Sequence, residues 1–268
     1  MTAAAPKTQS PPDRPLVLTG IDQAVGILTL NNPARRNALS GPMIAAIRAA
    51  LAGFRADPAV KAVIVAAEGP VFSSGHDLKE VLACDPGAAA DLFNACTALM
   101  LDLRQLPKAV IAQVSGLASA AGCQLVASCD LVVAAADAQF QTPGVKIGLF
   151  CSTPMVPLSR AVHPKKALEM LMTGRPIGAQ EAERAGLVNR IVPSESLAAE
   201  TLALAREIAS YSGDTLALGK AAFYRQLPLD LPGAYQVGMD AMVRNVPTPD
   251  AREGMTAFVQ KRPPKWTT

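Results

Sequence analysis

Val71-Phe72-Ser73-Ser74-Gly75-His76-Asp77-Leu78-Lys79-Glu80 follows directly on the apolar run Ala62 to Ala67. A β-branched run that barely alternates reads as a strand covered on both faces, the habit of parallel sheets flanked by helices. The segment after it reads as a turn into a helix. Asp77 and Glu80 have capping-box spacing, and Gly75 permits a backbone turn that exposes amide N–H groups. Such a turn serves either to cap a helix or to hold an oxyanion.

A second segment repeats the arrangement. Val114-Ser115-Gly116-Leu117-Ala118-Ser119-Ala120-Ala121-Gly122-Cys123-Gln124 closes the buried run Val110 to Val114. Its small residues let backbone approach a ligand, and the helix that begins there points unpaired N–H groups and a positive dipole end outward. Two such turns, each at a strand end, can together offer two amides to one carbonyl oxygen.

Working outward, Leu16 to Leu18 and Val25 to Leu30 flank a polar turn at Asp22 and Gln23 and predict a hairpin. Ser40 as N-cap, Pro42 in the first turn and the stripe Met43, Ile47, Leu51, Phe54 predict a helix. Leu131 to Ala135 adds a buried strand. Beyond residue 150 helical patterns dominate, at Leu197 to Ala209, Thr215 to Tyr224 and Asp250 to Val259, with Leu187 to Val192 as a late strand. The chain divides into an arm (1–15), an α/β core (16–195) and a helical C-terminal region (196–268).

Composition removes several functions. Among 268 residues, 25 basic and 22 acidic side chains leave a formal charge of +3, with no Lys/Arg run, so a nucleic-acid partner is not expected. No apolar stretch reaches membrane-spanning length, so no membrane partner is expected either. Five cysteines without a C-x-x-C pair fit a reduced compartment, and the arm has no apolar segment like that of a signal peptide; together these predict a cytoplasmic protein. Only His76 and His163 are present, which disfavours a histidine-rich metal site, and His163 before Pro164 reads as a solvated helix start. Neither a phosphate-binding loop nor a dinucleotide fingerprint occurs, so no cofactor is expected.

The two turns, with Asn32-Pro-x-x-Arg-Asn-Ala-Leu39, Cys129-Asp130-Leu131, Ala138-Gln139-Phe140 and Thr173-Gly174-Arg175-Pro176-Ile177-x-Ala179-x-Glu181-Ala182-x-x-x-Gly186-Leu187-Val188, resemble the enoyl-CoA hydratase/isomerase (crotonase) family from about Leu16 to Trp266. Phe72 to Glu80 and Gly148 to Pro154 look closest to its enoyl-CoA hydratase domain-containing protein 3 branch. The resemblance implies a spiral of ββα units, a helical C-terminal region that builds a homotrimer or a dimer of trimers, and an acyl-CoA thioester as substrate or ligand. Carried over by motif, the backbone amides of His76 and Ala121 form an oxyanion hole. Ser74, Gly75, Asp77, Leu78, Gly122, Ser152 and Phe258 belong to the ligand site, and the basic pair Lys261 and Arg262 approaches a neighbouring subunit's coenzyme A phosphates.

The same resemblance exposes a departure. The family's hydratases use two glutamates twenty positions apart, where this chain has Gln124 and Gly144. Glutamine has no useful proton to exchange and glycine has no side chain, so hydratase chemistry is expected to be weak. Cys123, Lys146, Cys151, Ser152 and Thr153 lie near the pocket by motif. Two readings stay open: an enzyme that stabilises an enolate with substitute groups, or a non-catalytic acyl-CoA-binding or regulatory member. An RNA-binding role lacks its basic helix here.

Overall fold

The computed structural model describes residues 14–268, so the arm assigned to residues 1–15 lies outside the described residues except for its last two. The chain begins with β1 (Val17–Asp22), β2 (Val25–Leu30), α1 (Gly41–Ala56), β3 (Ala62–Ala67), α2 (Leu78–Ala83) and α3 (Pro86–Gln105). It continues through β4 (Ala109–Val114), β5 (Leu117–Ser119), α4 (Ala121–Ser128), β6 (Leu131–Ala135) and β7 (Gln139–Gln141). After a short 3-10 turn at Pro143–Ile147 come α5 (Met155–Ala161), α6 (Pro164–Thr173), β8 (Ile177–Gly178), α7 (Ala179–Ala185) and β9 (Arg190–Val192). Four helices close the chain: α8 (Leu197–Ala209), α9 (Gly213–Gln226), α10 (Leu231–Asn245) and α11 (Pro249–Val259).

The main sheet has the order β1-β2-β3-β4-β6-β9, with β1 antiparallel to β2 and every later pairing parallel. A smaller sheet, β5-β7-β8, stands beside it. Strand β3 shows why the central runs do not alternate in polarity. Val63 and Val65 join the core beneath α1 and α3, while Ala62, Ile64 and Ala66 pack with Leu204 and Ala205 of α8 on the opposite face. The first helix of the C-terminal region therefore covers the second side of the body's own sheet.

Most predicted elements form, with changes at their ends. Ser40 caps α1 by accepting from the Met43 amide, and the stripe Met43, Ile47, Leu51, Phe54 is buried. The predicted strand Leu187 to Val192 shrinks to Arg190–Val192, because Gly186 ends α7 in the left-handed region and turns Leu187 and Val188 into the core. His163 is the exposed N-cap of α6, with Pro164 at its first position.

The Cys129-Asp130-Leu131 motif anchors the C-terminal helices. Asp130 accepts from Lys220 Nζ at 2.6 Å, from the Tyr224 hydroxyl at 2.7 Å and from the Val110 amide at 2.7 Å, and Lys220 also donates to the carbonyls of Leu103 and Lys108. A buried lysine is tolerable when its protons all find acceptors, as these do. Beyond that anchor the helices expose large apolar side chains, among them Phe223, Leu231, Tyr235, Met242, Phe258 and Val259. No helix among the described residues is long and apolar enough to cross a membrane.

Candidate active site

The bed of the site is the Asn32 to Leu39 motif. Arg36 and Asn37 lie in the left-handed region, φ 52° and 49°, a conformation that asparagine tolerates better than most residues. Asn37 is fully buried; its Oδ1 accepts from the Asn32 amide at 2.8 Å, and its Nδ2 donates to the carbonyls of Glu68 and Val71 at 2.9 and 2.8 Å. Onto this knot the first turn is sewn. The Ser74 amide donates to Arg36, the Ser73 hydroxyl to the Asn37 carbonyl, and the Leu39 amide to the Gly75 carbonyl.

Two glycines bring the second turn against the first. A Cβ on Gly122 would sit 2.4 Å from the Ser73 carbonyl oxygen, and one on Gly75, whose φ is +88°, would sit 2.8 Å from the Cβ of Ala120. The Ser119 amide donates to the Ser73 carbonyl at 2.8 Å, and Ala120 itself takes a positive φ of 50° where α4 begins. The Gly75 amide is taken by the Ser73 hydroxyl. The amides of His76 and Ala121 donate to no acceptor among the described residues.

The predicted capping box does not close. Asp77 caps α2 through the Lys79 amide and pairs with Arg35 at 3.0 Å, but Glu80 reaches the Gly41 amide at 3.1 and 3.2 Å. The cause is the neighbouring start of α1, whose open N–H groups and positive dipole end attract the carboxylate.

Both turns face a cavity of about 470 Å³. Ser74, His76 and Leu78 come from the first turn, Ser119, Ala120 and Ala121 from the second, and Phe93 from α3. The opposite wall is the segment from Pro143 to Pro154, including Gly144, Lys146, Leu149, Phe150, Cys151, Ser152 and Thr153. Among the described residues no aspartate or glutamate lines it. The His76 Nδ1 sits 3.0 Å from the Leu39 carbonyl, which fixes the proton on Nδ1, and its ring meets Phe93 edge to face. Its Nε2 is buried without a partner, and burial holds the imidazole below its ordinary range against the smaller opposing pull of the Leu39 carbonyl and Glu80. Burial also pushes the Cys123 thiol up to about 12 and raises that of Cys151, so both stay protonated.

Gly144 is sterically demanded. A Cβ there would stand 1.9 Å from the Leu149 carbonyl oxygen and 2.8 Å from Cys151 Sγ, so no side chain fits unless the Leu149 backbone moves. Gln124 is displaced from expectation in another way. It is 3% exposed, its Oε1 has no partner, and it lines an adjoining cavity behind Ala121. Three buried side-chain polar atoms lack partners among the described residues: His76 Nε2, Gln124 Oε1 and Thr142 Oγ1. All three belong to residues on or next to the walls of this site.

Gly75 and Gly122 hold the turns together, and Asp77 faces Arg35. Phe258 is exposed, and neither it nor Lys261 lines the cavity of this chain. Sequence reading missed Phe93, Leu149 and Phe150. Phe93 was findable through the start of α3, where Asp85 accepts from the Ala88 amide and Pro86 takes the first position.

This fold, with two glycine-packed turns over one cavity, places the chain in a known class. The family profile described as enoyl-CoA hydratase/isomerase matches residues 20–268, and the chain belongs to that family. It is 51% identical over 253 residues to the Mus musculus protein named enoyl-CoA hydratase domain-containing protein 3, mitochondrial, covering 93% of this chain and 84% of that one. The crystal structure of the human protein of that kind superposes with a TM-score of 0.92 at 49% identity, covering 94% of this chain and all of that one. An enoyl-CoA hydratase structure from Mycobacterium smegmatis gives 0.92 at 46% identity, covering 95% of this chain and 100% of the other. The relatives overturn the cytoplasmic expectation, since the mouse, rat and human proteins are all named mitochondrial. That expectation leaned on residues 1–15, almost all of which lie outside the described residues, and on free cysteines, which do not separate one reducing compartment from another.

Proposed function

We propose that this chain binds a fatty acyl-CoA thioester and stabilises its enolate through the backbone amides of His76 and Ala121, without the two-glutamate hydration of the family's hydratases. The observation that carries the reading is the pair of unpartnered amides on two turns that Gly75 and Gly122 force together. Backbone N–H donors aimed at a developing oxyanion contribute a factor of about 10² to 10³ each. The carboxylate-free cavity supports the second half of the proposal. Gln124 and Gly144 stand at the two glutamate positions, and Leu149 fills the space where a side chain at 144 would extend. The same feature favours a second reading, a binding or regulatory member that holds the thioester without turning it over.

Self-association completes the proposal. The apolar faces of α9, α10 and α11 fit burial in a homotrimer or a dimer of trimers. The function is tested by loss of the crotonyl-CoA enoyl absorbance at high protein concentration. Turnover at ordinary hydratase rates overturns the proposal; a silent protein that still binds crotonyl-CoA supports it. Sedimentation at a mass three or six times that of the chain supports the assembly, and a monomer overturns it.

A further inference from the structure

A second cavity of about 300 Å³ adjoins the first and shares Thr153 with it. Along α3 the wall passes from Phe93 in the first cavity to Thr97, Leu101 and Arg104 in the second; along α4 it passes from Ala121 to Gln124 and Ser128. The third side runs from Thr153, which lines both cavities, to Val156 and Arg160 of α5. These spacings of three and four residues each trace one helix face, and all three faces run in the same direction. From Phe93 to Arg104 the rise is about 16 Å at 1.5 Å per residue.

The far end is chemically unlike the near end. Arg104 and Arg160 make no ion pair among the described residues; Arg104 lies over the Tyr224 ring at 4.2 Å, and Arg160 donates to its own helix at the Val156 carbonyl. Thr97 and Ser128 donate their hydroxyl protons to their own helices, at the Phe93 and Gln124 carbonyls. The donors left for a ligand are the two guanidinium groups; the unpartnered atom of Gln124 is Oε1, an acceptor. Guanidinium groups match carboxylate geometry. Leu101 and Val156, each about half exposed, put this end at the rim, where an anion keeps part of its hydration.

Building on the thioester site proposed above, we infer that the preferred substrate class is an acyl-CoA whose chain ends in a carboxylate. The acyl tail runs from the Ala121 turn past Gln124 along the α3–α4–α5 channel, and its ω-carboxylate meets Arg104 and Arg160. No bond changes in this step; it is recognition.

Calorimetric titration with three matched series, methyl-ended, ω-hydroxy and ω-carboxy acyl-CoA thioesters from four to twelve carbons, tests the inference. The ω-carboxy compound is expected to bind at least tenfold tighter than its methyl-ended partner at one chain length, and Arg160→Gln is expected to abolish that preference. Equal affinities at every length, a tighter ω-hydroxy compound, or a preference that survives Arg160→Gln overturns the inference while leaving the thioester site standing. If no thioester binds at all, the site reading fails, and this one with it.

Discussion

The two walls of the site are built on opposite principles. The wall made by Ser73 to Leu78 and Ser119 to Gly122 is held by backbone contact so close that a single added Cβ would collide, and it leaves two amides free. The wall from Pro143 to Pro154 carries no carboxylate; its Gly144 is wedged against the Leu149 carbonyl. Offering donors to a carbonyl and moving protons are different tasks: the first wall presents two backbone amides, and the second has no carboxylate. The difference teaches that the two tasks are structurally separable, because polarisation depends on backbone placement and proton transfer on side chains.

The largest expected effect comes from breaking the first wall. Gly122→Ala should weaken thioester binding by more than about a hundredfold, because the new methyl group meets the Ser73 carbonyl and pries the turns apart. Titration with butyryl-CoA, with circular dichroism to confirm folding, checks it. Next comes the bed beneath that wall. Asn37→Ala strands the Asn32 amide and two carbonyls and should destabilise the protein by about 2–3 kcal/mol in urea unfolding.

A smaller effect follows from His76. Its folded value lies below the ordinary 6.5, so as pH falls below 6.5 the unfolded chain takes up the proton first. Stability is therefore full above 6.5 and declines below it, by at most about 1.4 kcal/mol per pH unit. Glu80, the charged group that faces the imidazole, opposes this without cancelling it. His76→Asn, which keeps a donor near Leu39, should flatten that slope in denaturation measured from pH 7 to 5. The smallest effect comes from the helix behind the first wall. Gln124→Glu should raise crotonyl-CoA hydration by less than about tenfold, since one carboxylate cannot act as both acid and base and position 144 has no room for the second.

Much of the polarising wall was legible in the sequence, because glycines, caps and short apolar runs are local signals. Gly75 and Gly122 marked the turns, and Ser40 and its stripe marked α1. What escaped depends on partners distant in sequence. Glu80 looked like a capping partner for Asp77 until α1 offered a better site. Helix α3 was missed because small residues such as Ala88, Ala89, Ala90, Ala95 and Ala98 dilute its buried stripe of Leu92, Cys96, Leu99 and Leu103. Nothing in the sequence tells that Leu149 closes the space beside Gly144, or that Gln124, one helical turn from Ala121, faces a different cavity.

The most direct test of the two-amide claim compares butyryl-CoA with S-butyl-CoA, which differ only in replacing the carbonyl by a methylene. Two amide donors at about 0.5–1.5 kcal/mol each predict that the thioester binds at least fivefold tighter in calorimetric titration. Equal affinity for the two would contradict an oxyanion hole at His76 and Ala121.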